Sequence, residues 1–174
     1  MDPIVEAALK KWPNVPHCYG WLALDARGDW YMRDERIQAA GPFPQVKGSR
    51  ITHDKLLGFI ERNYAADARG AWFFQNGPQR VYVQLEAAPW VWRLSGSAAA
   101  LQLSSHTGRA ARPEHAWLDE HDRLYLTTDL GLGLVHSLDM GLAAEMVEAG
   151  TWRPQTATHA ELLTRHGVIA APEA

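Results

Sequence analysis

The sequence predicts an α+β fold dominated by β-strands, on three observations. A bend of the form Asp-x-x-Gly followed by aromatic residues recurs along the chain. Runs alternating aromatic or β-branched residues with smaller or polar ones flank these bends, which is the period of a strand. Short stretches with helical spacing lie at the N-terminus, between the β units and at the C-terminus. Three related antiparallel hairpin or meander units joined by short helices account for all of this.

In chain order, Asp2-Pro3 opens a first helix, with Asp at the N-cap, Pro in the first turn, and Ile4, Val5, Ala8, Leu9 and Trp12 at helical spacing. Pro13 and Pro16 stop it. The first hairpin runs Trp21–Met32 around Asp25-Ala26-Arg27-Gly28, and the second runs Tyr64–Phe74 around Asp67-Ala68-Arg69-Gly70. The first-position Asp can accept hydrogen bonds from the backbone two residues on, and Gly at the fourth position accepts a positive φ. The identical Asp-Ala-Arg-Gly suggests duplication. A weaker third copy, Trp117–Leu126, has Asp119 in the Asp position and Asp122 in place of Gly. Asn76-Gly77-Pro78 marks a turn into the alternating run Arg80–Glu86.

Between the first two hairpins a helix is expected from His53 to Asn63, capped by Thr52. Another spans Met140–Ala149, capped by Asp139 and ended by Gly150. A last one starts in the capping box Thr158-x-x-Glu161 and ends at Gly167. Residues 170–174 read as a frayed tail. Ser95–Ala100 is small and polar and reads as a linker. The chain divides there into residues 1–96, with two hairpins and one inserted helix, and 97–174, with the third hairpin and two helices; one compact domain is the alternative.

Composition narrows the function. Hydrophobic residues are 47% and charged residues 21% of the 174, the balance of a globular chain. Lys and Arg number 17 against 20 Asp and Glu, a net charge of −3, which disfavours nucleic-acid binding through backbone charge. No apolar run approaches the roughly 18 residues of a membrane helix, so no membrane role is expected. Cys18 is the only cysteine, which excludes an intrachain disulfide and any Cys-based zinc site. With Met1-Asp2-Pro3-Ile4 lacking a basic start, a cytoplasmic protein is the expectation.

The eight tryptophans carry the first functional hypothesis: a non-enzymatic binding or assembly module using aromatic strand faces. Its candidate residues are Trp30, Tyr31, Trp72, Arg80, Trp90 and Trp92, with Trp90 and Trp92 on one face of a strand. Core packing is the competing account of the same residues. Partners that fit are a protein or peptide, or a second copy of the chain. The alternative hypothesis is a small-molecule site or enzyme in a cleft drawing on His106, His115, His121, His136 and Arg123. None of these histidine pairs has helical i, i+4 spacing, so no metal site is assigned. Ser104-Ser105-His106-Thr107-Gly108 lacks the nucleophile-elbow pattern, and Gly131-Leu132-Gly133 lacks the Lys of a phosphate loop. No catalytic residue and no cofactor is assigned.

Two resemblances accompany these observations. The Trp-rich hairpins resemble a proteobacterial family known only as a domain of unknown function. That resemblance covers most of the chain and implies no activity. Trp30-Tyr31-Met32-Arg33-Asp34, Ile37-Gln38 and Gly41-Pro42-Phe43 resemble the opening of the glycine-tyrosine-phenylalanine adaptor domain, which implies binding of proline-rich peptides. The Gly-Tyr-Phe triplet itself is absent, Leu57-Gly58-Phe59 standing in the expected helix.

Overall fold

The computed structural model describes all 174 residues, which gather into two units, one of residues 1–25, 29–86 and 167–174 and the other of 26–28 and 87–166. The first contains α1 (Pro3–Lys11), β1 (Cys18–Leu24), β2 (Trp30–Met32), α2 (Glu35–Ala40), β3 (Ser49–Arg50), α3 (Asp54–Arg62), β4 (Tyr64–Ala66), β5 (Trp72–Asn76) and β6 (Gln79–Leu85). The second contains β7 (Trp90–Ser97), β8 (Ala100–Ser105), β9 (Pro113–Leu118), β10 (Leu124–Thr128), β11 (Gly131–Val135), a 3-10 turn (Ser137–Asp139), α4 (Met140–Glu148), β12 (Gln155–Thr156) and α5 (His159–Arg165). The class is α+β with β dominance. No helix is long and apolar enough to cross a membrane.

Each unit holds one six-stranded sheet. The orders are β3-β2-β1-β6-β5-β4 and β12-β9-β10-β11-β7-β8. The three expected antiparallel units are present as β1-β2-β3, β4-β5-β6 and β9-β10-β11. The sheets are nevertheless mixed: β6 closes onto β1 in parallel, and β11 closes onto β7 in parallel.

The bends share one geometry. The Asp25 N–H donates to the Asp29 carbonyl at 3.0 Å, and the Asp29 N–H returns to Asp25 Oδ1 at 3.0 Å. Asp67 and Ala71 repeat this at 2.9 and 3.0 Å, and Asp119 and Arg123 at 3.1 and 2.9 Å. The fourth position has positive φ each time, 83° at Gly28, 87° at Gly70 and 57° at Asp122. A fourth bend follows β8: the Ser105 N–H donates to the Arg109 carbonyl at 2.8 Å, and Ser105 Oγ accepts the Arg109 N–H at 3.2 Å. The segment Ser104–Gly108, which lacks the nucleophile-elbow pattern, folds into this bend with serine in the aspartate's place.

Several local expectations are corrected. Ser95–Ala100 is no linker but the tip of the β7–β8 hairpin, with Ser97 opposite Ala100. α3 starts one residue later than expected, because His53 Nδ1, and not Thr52, accepts the Leu56 N–H. Asp139 occupies the N-cap of α4, but its carboxylate goes to Arg93 at 2.7 Å and the Leu94 N–H at 3.0 Å. α2 was not anticipated, although Asp34 caps it through the Ile37 N–H at 2.9 Å. The tail is not frayed up to Ala170: Ile169 donates to the Gly70 carbonyl at 3.0 Å, and Ala170 accepts the Leu85 N–H at 2.8 Å.

Candidate functional site

The site is built on β1. Gly20 takes a φ of 79°, and a Cβ there would lie 2.6 Å from the Gln38 side chain. The pairing of β1 with β6 slips between Cys18 and Leu22. Such an irregularity re-aims side chains, and Trp21 and Leu22, adjacent residues, both line the same groove. Leu22, Phe74 and Val81 belong to the sheet side of this groove, and Leu56, Phe59 and Ile60 of α3 to the helix side. Cys18, Trp21, Met32, Ile51 and Asn76 complete a cavity of about 280 Å³. Trp21 is 37% exposed and Met32 47%.

The helix side is held by packing and by one amide. Ile60 is buried, and Phe59 meets Phe74 edge-on at 5.4 Å. The buried Asn63 at the C-cap of α3 donates to the Phe59 carbonyl at 2.9 Å, accepts the Asp2 N–H at 2.7 Å, and offers its carbonyl to the Gln75 N–H at 2.9 Å. One residue thereby ties α3 to α1 and β5. No charged side chain lines the groove. Burial pushes the Cys18 thiol up from its ordinary value, away from the thiolate a nucleophile needs. The groove offers apolar area and shape, with no acid–base pair.

The aromatic candidates divide. Trp30, Trp90 and Trp92 are core side chains with at most 2% of their surface exposed. Trp30 meets Tyr64 edge-on at 5.1 Å. Trp90 and Trp92 stack at 6.1 Å on one strand face, their indole N–H groups donating to the carbonyls of Leu130 at 2.8 Å and Leu126 at 3.0 Å. Gly133 makes room for them, since a Cβ there would run into the Trp92 ring. Tyr31, Trp72 and Arg80 are half-buried. Tyr31 lies under the Lys47 ammonium at 5.5 Å, Trp72 packs on Tyr64 at 4.7 Å, and Arg80 lies 4.4 Å over Phe73. Trp21, Met32, Leu56 and Phe59 were missed; only the irregular pairing of β1 and the packing of α3 bring them together.

The C-terminal candidates do not converge on one cleft. His106 Nδ1 accepts the Val91 N–H at 3.2 Å, and desolvation pushes this imidazole down to about 3. His136 is buried and caps the 3-10 turn through the Leu138 N–H at 3.0 Å. His121 sits exposed on the Asp119 bend. Arg123 binds the Asp119 carboxylate at 2.7 Å. His115 alone of these five lines a separate groove of about 340 Å³, beside Trp152 and Arg153. No three His, Cys, Asp or Glu side chains gather as a metal site.

The segment resembling the adaptor domain folds as β2, α2 and a following loop. The buried Arg33 clasps that loop, donating to the carbonyls of Val46 and Gly41, the latter at 2.8 Å, with Phe43 at 5.7 Å.

Comparison with known proteins adds fold and family. A DUF1285 family protein from Silicibacter pomeroyi DSS-3 aligns with a TM-score of 0.52 and 13% identity, over 84% of this chain and 85% of that one. At that identity the likeness is one of fold. A DUF1285 family protein from Shewanella baltica OS155 aligns with a TM-score of 0.49 and 17% identity, over 72% of this chain and 91% of that one. No curated protein matches the chain. The family model DUF2944, described as "Protein of unknown function (DUF2946)", matches residues 1–173. The chain belongs to this family of unknown function.

Proposed function

We propose that the chain is a non-enzymatic binding module that receives an apolar anchor side chain of a protein partner between α3 and the first sheet. One observation carries this: an uncharged groove of about 280 Å³, open to solvent beside Trp21 and Met32. A partly exposed Trp beside a pocket is the setting in which one buried anchor supplies most of an interface's binding energy. With no charged residue in the lining, the occupant is an aromatic or branched aliphatic side chain, since a charge would lose its hydration without a partner. The module acts in the bacterial cytoplasm, and its Trp-rich sheets descend from duplication of one hairpin. The shared bend geometry and the common hairpin-plus-meander order of the two sheets support that origin.

Selection from a random peptide-display library against the immobilised full chain tests the reading. Selected peptides should share an aromatic or branched aliphatic anchor. In fluorescence anisotropy, Met32→Glu and Leu56→Asp should each weaken them by about tenfold or more, with far-UV circular dichroism unchanged. Peptides that lack such an anchor, or that bind both variants as tightly as the parent, would remove the proposal.

A further inference from the structure

The second sheet carries a groove of its own, built on an irregularity of β9. Thr127 of β10 lies opposite His115 and the next residue, Thr128, opposite Pro113, so Glu114 has no partner on β10. Irregular pairing re-aims side chains, and Glu114 and His115, adjacent in sequence, both line one groove of about 340 Å³. Both are exposed.

The other wall is the segment that follows α4. The N–H groups of Thr151 and Trp152 both return to the Met146 carbonyl at 3.1 Å. Further on, Gln155 pairs with Trp117 of β9. The wall is thus pinned at both ends, with Arg153 exposed between them. Trp152 is buried, and with the buried Ala116 and Leu126 it gives the groove an apolar floor.

Glu114 and Arg153 are the only Asp, Glu, Lys or Arg residues of the lining. They are of opposite sign, and neither forms a salt bridge within the chain. Thr151 and Gln155 add uncharged polar groups. An apolar floor under a few convergent polar groups is the usual build of a small-ligand site. An occupant of one sign would meet a like charge, and an uncharged one would strip water from both charges without replacing it. A zwitterion satisfies both.

We infer that this groove binds a free amino acid with an apolar side chain. Its ammonium group meets the Glu114 carboxylate, and its carboxylate meets the Arg153 guanidinium, whose forked N–H groups match it bidentately. Its side chain lies over Ala116, Leu126 and Trp152. The site shares no residue with the groove beside Trp21 and Met32.

Isothermal titration of the full chain with L-phenylalanine and L-leucine tests this. At least one should bind at millimolar concentration or below. N-acetyl-L-phenylalanine keeps only the carboxylate and L-phenylalaninamide only the ammonium group, so each should bind about fivefold more weakly than L-phenylalanine. Glu114→Gln should abolish the preference over the acetylated analogue and keep the preference over the amide. Arg153→Gln should do the reverse. Both side chains are exposed, so circular dichroism should match the parent, and a merely structural role would not split the two preferences. No binding of either amino acid, capped analogues that bind as tightly as L-phenylalanine, or variants that keep both preferences would each overturn the inference.

Discussion

Asp67 shows how much one side chain of the bend carries. Its carboxylate accepts the N–H groups of Arg69 at 2.9 Å and Ala71 at 3.0 Å, and the Tyr82 hydroxyl at 3.0 Å. Burial raises its pKa, but these donors and the Arg69 guanidinium outweigh burial and hold it low. Asp67→Ala should therefore cost about 1–3 kcal/mol in urea unfolding. A group held low stabilises the fold above the ordinary Asp value, and that contribution is lost as pH falls through the folded value. His106 acts in the same direction at higher pH. Neutral in the fold, with its value near 3 against an ordinary 6.5, it stabilises fully above about pH 6.5 and progressively less as pH falls. The thermal midpoint of the parent should drop between about pH 7 and 5, and His106→Asn, which keeps an acceptor for the Val91 N–H, should flatten that drop. An equal slope in the variant would refute this role. Asp-x-x-Gly was legible because its chemistry is local. The burial of Trp30, Trp90 and Trp92 was not, because residue type does not say which side of a strand faces water.

At the scale of elements, side-chain caps set the starts of α2, α3 and α5. The capping box of α5 was legible and is made: Thr158 N–H donates to Glu161 Oε2 at 2.7 Å, and Thr158 Oγ1 accepts the Glu161 N–H at 3.2 Å. Thr158→Ala should cost about 1 kcal/mol by chemical denaturation. Asp139 was legible as a cap but is used otherwise, because Arg93 and the Leu94 N–H on β7 compete for its oxygens. The hairpin at Ser97 and Ala100 was hidden by its composition. Small polar residues suit a linker as well as a tight tip, and only pairing with a neighbour tells them apart. Gly133 matters to the β10–β11 hairpin in the same non-local way. Gly133→Ala places a methyl against the Trp92 ring and should destabilise by about 1–3 kcal/mol.

At the scale of the molecule, the last residues return to the first unit. Ile169 pairs with Ala71 and packs against the buried Ala71, Phe73 and Tyr82. The return also explains Gly70, where a Cβ would strike the Gly167 carbonyl. Deleting residues 168–174 removes two backbone hydrogen bonds and the Ile169 packing, so guanidinium unfolding should show a loss of about 2–4 kcal/mol. An unchanged midpoint would mean that the tail contributes nothing.

The sequence by itself determined the β-dominated class, the bends at Asp25, Asp67 and Asp119, the capping box at Thr158 and the shared strand face of Trp90 and Trp92. Each depends on groups a few residues apart. Only the tertiary structure decided the parallel closures of β6 on β1 and β11 on β7, the burial of Trp30, Trp90 and Trp92, and the groove beside Trp21 and Met32. Those depend on contacts between segments far apart in the chain, whose partners local chemistry does not name.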